Sequence, residues 1–305
     1  MYCYRIRKNY KMSRSSPLLD KFTPYIFLVY NKLSDLFPLL GYNHICDIEK
    51  CILDGTYKFS PLEVRDYSQR DKYAPDVYHT IHVKDISNNL SIHKVYFFNS
   101  KDEDRLVQTA LGIFLNKYIV SVLMSNSYGH KIQIDDYYKI VCSRENVIKL
   151  YRFDLMNYCR SVNRESVLSK LSHIVKDEEI LKYVKEYLSL PLLTEGGVDI
   201  SDQFGIAPSG FLSSSLLNLA LSDFDKDFQL LFPHLDYIRY IDEVLVSCNS
   251  GMSFQKFEEE VVSLFDKYNI IGKIMSIGPG EGPMECGRCK FIVSKEGNIS
   301  VYIKK

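Results

Sequence analysis

The 305-residue chain carries 38 lysines and arginines against 38 aspartates and glutamates, so its formal charge is zero, and 46% of its residues are hydrophobic. That composition excludes wholesale disorder. The charge balance argues against a protein that coats nucleic acid through excess Lys and Arg, while leaving room for a local basic groove. Eight cysteines are too sparse for a disulfide scaffold, and apolar stretches such as residues 113–122, with Asn116 and Lys117 inside, are too short and polar for a bilayer. The expectation is a cytoplasmic protein of one large or two modest domains, with no membrane association. Residues 1–19 hold Arg5, Arg7, Lys8, Lys11 and Arg14 and no acid. They read either as a transit signal, which would place the protein in the mitochondrial matrix, or as a basic arm lying on RNA.

Residues 17–55 carry apolar positions at helical spacing, among them Phe27, Leu28, Leu33, Leu36, Leu39 and Leu40. Residues 55–98 differ. Thr80-Ile81-His82-Val83 and Lys94-Val95-Tyr96-Phe97-Phe98 flank the polar stretch 85–89, the pattern of a two-stranded hairpin. Residues 102–124 predict an amphipathic helix, apolar at Leu106, Val107, Ala110, Leu111, Phe114 and Leu115. The second half alternates: a strand at 149–154, helices at 166–175 and 177–189, and a turn at 205–210 feeding a helix at 213–221. Apolar runs at 237–240 and 244–247, separated by Ile241-Asp242-Glu243, predict a tight hairpin with carboxylates at its tip. A helix at 253–269, a strand at 270–277, a Gly-rich turn and a closing hairpin of 291–293 and 299–303 follow. This order predicts an α+β fold, an antiparallel sheet with helices on one face.

Two acidic positions sit at strand ends inside apolar surroundings, Asp154 after Leu150-Tyr151-Arg152-Phe153 and Asp242-Glu243 before Val244-Leu245-Val246. A charge between apolar strand residues is costly unless it is paired, hydrogen-bonded or bound to a metal. Carboxylates suit Mg²⁺, which takes oxygen ligands and is held by one or two of them plus substrate phosphates. The plainer alternative is a strand-end turn residue and a solvated hairpin tip.

Tyr240-Ile241-Asp242-Glu243 resembles the Tyr-x-Asp-Asp box of reverse transcriptases, and Phe153-Asp154-Leu155-Met156-Asn157-Tyr158 resembles their first catalytic motif. Between them, Gly205-Ile206-Ala207-Pro208-Ser209-Gly210-Phe211-Leu212-Ser213 is similar to the family's Pro-Gln-Gly turn and helix. Upstream, Asp104-Arg105-Leu106-Val107-Gln108 and Ser125-Asn126-Ser127-Tyr128-Gly129-His130 resemble fingers motifs of the group II intron branch and its compact bacterial relatives, which include phage-defence enzymes. Gly55-Thr56-Tyr57-Lys58-Phe59 resembles the segment that opens those fingers. Six matches in family order span residues 55–293.

The resemblance implies the fingers and palm of a right-hand polymerase, with the thumb absent or minimal. An N-terminal helical extension with a basic arm would cover residues 1–54, the fingers 55–145, and the palm 146–305 with a primer-grip-like C-terminal hairpin. It implies Mg²⁺- or Mn²⁺-dependent transfer of nucleotides from dNTPs to a primer 3′-hydroxyl, copying RNA or using an unusual template or none, with a role in bacterial antiviral defence. RNA and DNA would be partners, and a partner subunit, a structured RNA or a homo-oligomer would replace the thumb. The alternative is an RNA-binding maturase-like or scaffold subunit whose polymerase site has decayed.

Residue by residue, the resemblance gives metal binding to Asp154, Asp242 and the Leu155 carbonyl. Glu243 stands where the family has a second catalytic Asp, keeping the charge on a side chain one methylene longer. Lys84 and Lys94 match basic positions that close over an incoming triphosphate. Cys159 stands where a bulky aromatic usually excludes a ribose 2′-hydroxyl, so either Tyr158 takes over that gate or sugar selection is loose. Ser209 replaces the Gln of Pro-Gln-Gly, ahead of Gly210, which implies an altered template or nucleotide pocket. Lys273 is either the general acid for departing pyrophosphate or a solvated strand lysine. Cys286-Gly287-Arg288-Cys289 falls at the primer grip and lacks the further ligands a structural zinc needs. His130 reads as a surface residue of the fingers.

Overall fold

The computed structural model describes residues 17–66, 81–84, 93–155, 158–194, 196–207, 210–249, 253–270, 272–286 and 289–303. The basic N-terminal residues, Thr80, the 85–89 stretch and Ser209 lie outside the described residues. Two helices come first, α1 (Leu19–Leu33) and α2 (Tyr42–Leu53). Helix α1 buries Leu19, Phe22, Ile26 and Val29, one face of a 3.6-residue period. A short 3₁₀ turn at Ser34–Leu36 interrupts the helical region expected across 17–55.

Strands β1 (Leu62–Asp66), β2 (Ile81–Lys84) and β3 (His93–Asn99) follow. The expected hairpin is present, β2 pairing with β3 from Ile81 opposite Tyr96 to Lys84 opposite His93. On its other edge β3 pairs antiparallel with β1. Strand β1 in turn pairs in parallel with β5 (Leu192–Thr194), an arrangement not anticipated from the sequence. Helix α3 (Asp102–Val120) buries the predicted positions Leu106, Val107, Ala110, Leu111, Phe114 and Leu115 and packs through Phe114 on Phe22 and Tyr25 of α1. Helix α4 (Ile134–Cys142) precedes β4 (Lys149–Asp154), and the single turn α5 (Tyr158–Ser161) follows it. Helices α6 (Arg164–Ile174) and α7 (Glu178–Leu188) are capped at their N-termini by the side chains of Asn163 and Asp177. Helices α8 (Gly210–Ala220) and α9 (Ser222–Leu231) lead into β6 (Asp236–Tyr240) and β7 (Glu243–Cys248). Helix α10 (Phe254–Lys267), strand β8 (Lys273–Ile277) and the sheet of β9 (Met284–Cys286), β10 (Cys289–Val293) and β11 (Ile299–Ile303) complete the described chain.

The central sheet has the order β6-β7-β4-β8, and every pairing in it is antiparallel. One face carries Tyr151, Phe153, Val244 and Val246 against a dense aromatic layer from α9 and α10: Phe153 meets Phe228, Phe257 and Phe265 at ring-centroid distances of 6.0, 6.3 and 5.6 Å. Helices are not confined to that face, contrary to what the order of elements predicts. On the other, Leu150, Ile238, Leu245 and Ile277 join Tyr137 and Val141 of α4 with Phe291 and Val293 of β10 in a second core. Alternating side chains let one sheet feed both cores.

Helices α3 and α8 approach closely, because a Cβ on Gly112 would lie 2.7 Å from the Leu212 backbone nitrogen. Backbone cannot yield as a flexible side chain can, so Gly112→Ala is expected to destabilise by about 1–3 kcal/mol. Urea unfolding of the two proteins checks this.

Candidate active site

Antiparallel register brings the predicted carboxylates together. The strand period of two places Leu150, Arg152 and Asp154 on the same face of β4. At the end of that face, Tyr240 is the Cα partner of Glu243, Glu243 of Asp154, and Asp154 of Lys273, so four strands contribute one row. The row behind it is Ile238, Leu245, Arg152 and Met275. Carboxylates therefore occupy the last row of this face, and Arg152 is the charged member of the otherwise apolar row behind it.

The Ile241-Asp242 turn joins β6 to β7, and Ile241 adopts φ = 56°, a conformation that a β-branched residue reaches only at a cost of roughly 1–3 kcal/mol. A buried polar cluster holds it. Arg239 Nη1 donates to the Ile241 carbonyl at 2.6 Å and to Asn218 Oδ1 at 2.6 Å, while Nε and Nη2 donate to Asp225 at 2.7 and 2.6 Å. Both side chains of the Arg239–Asp225 pair are fully buried. Asp225 also accepts from Ser127 Oγ at 2.5 Å and from the Tyr237 hydroxyl. Burial alone would lower the Arg239 pKa, but Asp225 and Tyr237 more than offset it and the net shift is upward. The 125–130 loop packs beside the same turn, Tyr128 N donating to Arg239 O at 2.7 Å and Asn218 Nδ2 to Gly129 O at 2.8 Å, and from the end of β4 Leu155 N donates to Asp242 O at 3.2 Å. Asp242 itself is exposed.

Glu243 points elsewhere. Arg152 Nε donates to its Oε2 at 3.0 Å, and Arg152 Nη1 lies 3.3 Å from Asp154 Oδ2. Burial pushes the Glu243 carboxyl up from its ordinary range; Arg152 pulls it back, while Asp242 and Asp154 push it further up. Tyr137 of α4 stands at this corner, its ring 5.3 Å from that of Tyr240. Its hydroxyl pKa is raised, first by burial and next by Glu243. Glu243 Oε1 and the Tyr137 hydroxyl are both buried without a hydrogen-bond partner.

Cys159, not Tyr158, feels the charge of Asp242: burial, then Asp242, pushes its thiol up to about 12. Tyr158 instead lines a cavity of about 180 Å³ between α5, α6 and the end of α10, together with Lys170, Asp223 and Tyr268. Burial pushes the Tyr158 phenol up to about 12. The Leu155 carbonyl accepts from Tyr158 N at 2.8 Å. Gly210 opens α8 at φ = 83°, and Ser209 before it lies outside the described residues. Lys84 and Lys94 occupy β2 and β3, one register step apart in the hairpin, with their side chains outside the description. Lys273 is exposed on β8 opposite Asp154. His130 is half-buried: it stacks on Phe211 at 4.0 Å between ring centroids and its Nε2 lies 2.8 Å from Ser214 Oγ. Cys286 and Cys289 are Cα partners across β9 and β10.

Sequence reading assigned no role to Arg152, Tyr137, Arg239 or Asp225. The Arg-x-Asp spacing was the available signal, since it puts both side chains on one strand face. Arg239→Met would leave Asp225 buried without its counter-charge, and an expected loss of about 3–5 kcal/mol follows. Denaturation melts measure it, and the Asp225→Asn, Arg239→Met cycle should return a coupling well above that of a surface pair.

No family model matches this chain, and no curated protein matches it. Among solved structures it is similar to apo telomerase from Candida Tropicalis, with a TM-score of 0.49 and 11% identity over 64% of this chain and 40% of that one. A form of that telomerase truncated from its C-terminal domain gives 0.48 and 13%, over 64% of this chain and 45% of that one. A chain of a partial Cas6-RT-Cas1–Cas2 complex gives 0.48 and 17%, over 84% of this chain and 42% of that one. The chain spans less than half the length of each of these structures.

Proposed function

We propose that this protein is a reverse-transcriptase-like nucleotidyltransferase that extends a primer 3′-hydroxyl with dNTPs. One observation carries the reading. Asp154 ends an inner strand beside the Tyr240-Ile241-Asp242-Glu243 hairpin, and Leu155 N donates to Asp242 O, so the backbone brings two acidic residues from distant segments to the same end of the sheet.

Asp154, Asp242 and the Leu155 carbonyl would hold Mg²⁺ or Mn²⁺. The donors fit, because all are hard oxygens and Asp242 is exposed. Among the described residues no group of three or more His, Cys, Asp or Glu side chains is placed to hold a metal ion. Mg²⁺ does not require one, taking the remaining ligands from water and substrate phosphates. When bound, the divalent ion supplies charge stabilisation for the attacking and leaving oxygens. The chain's own groups do the rest. The Arg239 cluster fixes the turn that carries Asp242. Lys273, opposite Asp154, is the group to protonate departing pyrophosphate, and Lys84 and Lys94 on the β2–β3 hairpin draw in the triphosphate. Residues 1–54 act as the N-terminal extension, 55–145 as fingers and 146–305 as palm, with RNA and DNA as substrates and a partner supplying further grip. Antiviral defence is the biological role we attach to this activity, on the resemblance to compact bacterial relatives.

Purified protein incubated with Mg²⁺ or Mn²⁺ and labelled dNTPs should incorporate label. Asp154→Asn and Asp242→Asn should each lower the rate by at least about 10²-fold, as loss of a main electrostatic contributor does, and EDTA should abolish it. Absence of incorporation under every condition would refute the polymerase reading. Cys159 puts a small side chain where the resemblance expects a bulky aromatic gate, so Cys159→Phe should raise the preference for dNTPs over ribonucleotides by about tenfold or more, read from paired kcat/KM values. The Arg152–Glu243 pair favours one second reading, a subunit whose polymerase site has decayed, and that subunit would incorporate nothing with Asp154 and Asp242 intact.

A further inference from the structure

Arg152 sits one residue row behind the open end of the central sheet, with both oxygen-bearing neighbours in reach. Its Nε contact with Glu243 Oε2 is the shorter, 3.0 Å against 3.3 Å from Nη1 to Asp154 Oδ2. The guanidinium side chain is only 10% exposed, and those of Glu243 and Asp154 are 15% and 20% exposed. In so enclosed a setting a fixed positive charge interacts far more strongly than it would in water. The remaining oxygen of Glu243 is buried in the corner that Tyr137 occupies, and the Tyr137 hydroxyl is a buried donor without a partner. Glu243 is thus paired with an arginine inside the protein, while Asp242, its neighbour in sequence, is exposed.

We propose that Arg152 is a positioning residue that withdraws Glu243 from the metal-binding set and weakens the hold of Asp154 on a divalent ion. This inference rests on the reading that Asp154 and Asp242 hold that ion. A site with three carboxylates would bind metal even without nucleotide. Arg152 cancels one of those charges and competes for a second, so the ion is held more weakly until substrate phosphates add their own oxygens. The arginine thereby couples metal loading to arrival of the triphosphate.

The test is Mn²⁺ binding to the full chain without nucleotide, followed by electron paramagnetic resonance of free Mn²⁺, with circular dichroism to verify folding. Asp154→Asn is expected to weaken binding by at least about tenfold, whereas Glu243→Gln should stay within about threefold of the unmodified protein. Arg152→Met, which removes the cation and frees Glu243, is expected to tighten binding by about tenfold or more. Adding Glu243→Gln to Arg152→Met should reverse most of that gain. Should Arg152→Met fail to fold, Arg152→Lys carries the test, with an expected tightening of roughly threefold because Lys cannot span both carboxylates. Binding unchanged or weakened in the Arg152 variants would overturn the proposal, as would a Glu243→Gln loss equal to that of Asp154→Asn, or no Mn²⁺ bound by any variant. If the binding pattern appears and no nucleotide is incorporated, the polymerase reading fails and the role of Arg152 stands. Incorporation with the opposite binding pattern separates them the other way.

Discussion

The ion pair between Arg239 and Asp225 is the constraint on which the candidate site depends. Neither group could remain charged and fully buried alone, and each is satisfied by the other together with Asn218, Ser127, Tyr237 and the Ile241 carbonyl. Such a pair contributes little net stability when compared with a well-packed apolar pair. What it contributes is position. Five hydrogen bonds from one guanidinium join α8, α9 and the β6–β7 turn, and the left-handed Ile241 conformation persists because its carbonyl is captured. Asp242 then has one place to be.

The central sheet turns this local anchoring into a directional surface. Its helix-covered face packs Tyr151, Phe153, Val244 and Val246 against an aromatic layer, and three rings of that layer meet Phe153. The opposite face changes character along the strand, from Leu150 in the second core, through Arg152, to Asp154 at the rim. Charge appears where the cover of α4 and the β9–β11 sheet gives out. The arrangement holds acidic side chains close together without burying all of them, and it assigns the deepest, Glu243, a counter-ion from the neighbouring strand.

Much of this was legible from the residues. Period-two runs located β2–β3, β6–β7 and β10–β11, and the apolar spacing of α3 located its buried face, since those signals are long or sit beside unmistakable turns. The carboxylates stood out because charges amid apolar strand residues demand explanation. Shorter or mixed signals did not stand out. Leu192-Leu193-Thr194 is too brief to read as a strand, and its partner lies more than a hundred residues away. Helix α4 is only nine residues long, and α9 follows α8 with one residue between them, so periodicity blurs across the junction. Arg152 escaped notice because its meaning depends on Glu243 in another strand, a relation that register sets and composition does not.

The parallel pairing of β1 with β5 bears on how the protein is made. Leu62, Glu63 and Val64 complete their sheet only when Leu192, Leu193 and Thr194 are available. Between them the chain must emerge through α3, α4, β4 and α7. During synthesis the edge of β1 therefore stays unpaired for more than a hundred residues, a window in which an exposed strand edge invites wrong partners. A contact of such long sequence separation also slows folding. A cut through the middle of the chain would divide one sheet between two fragments rather than release two finished units.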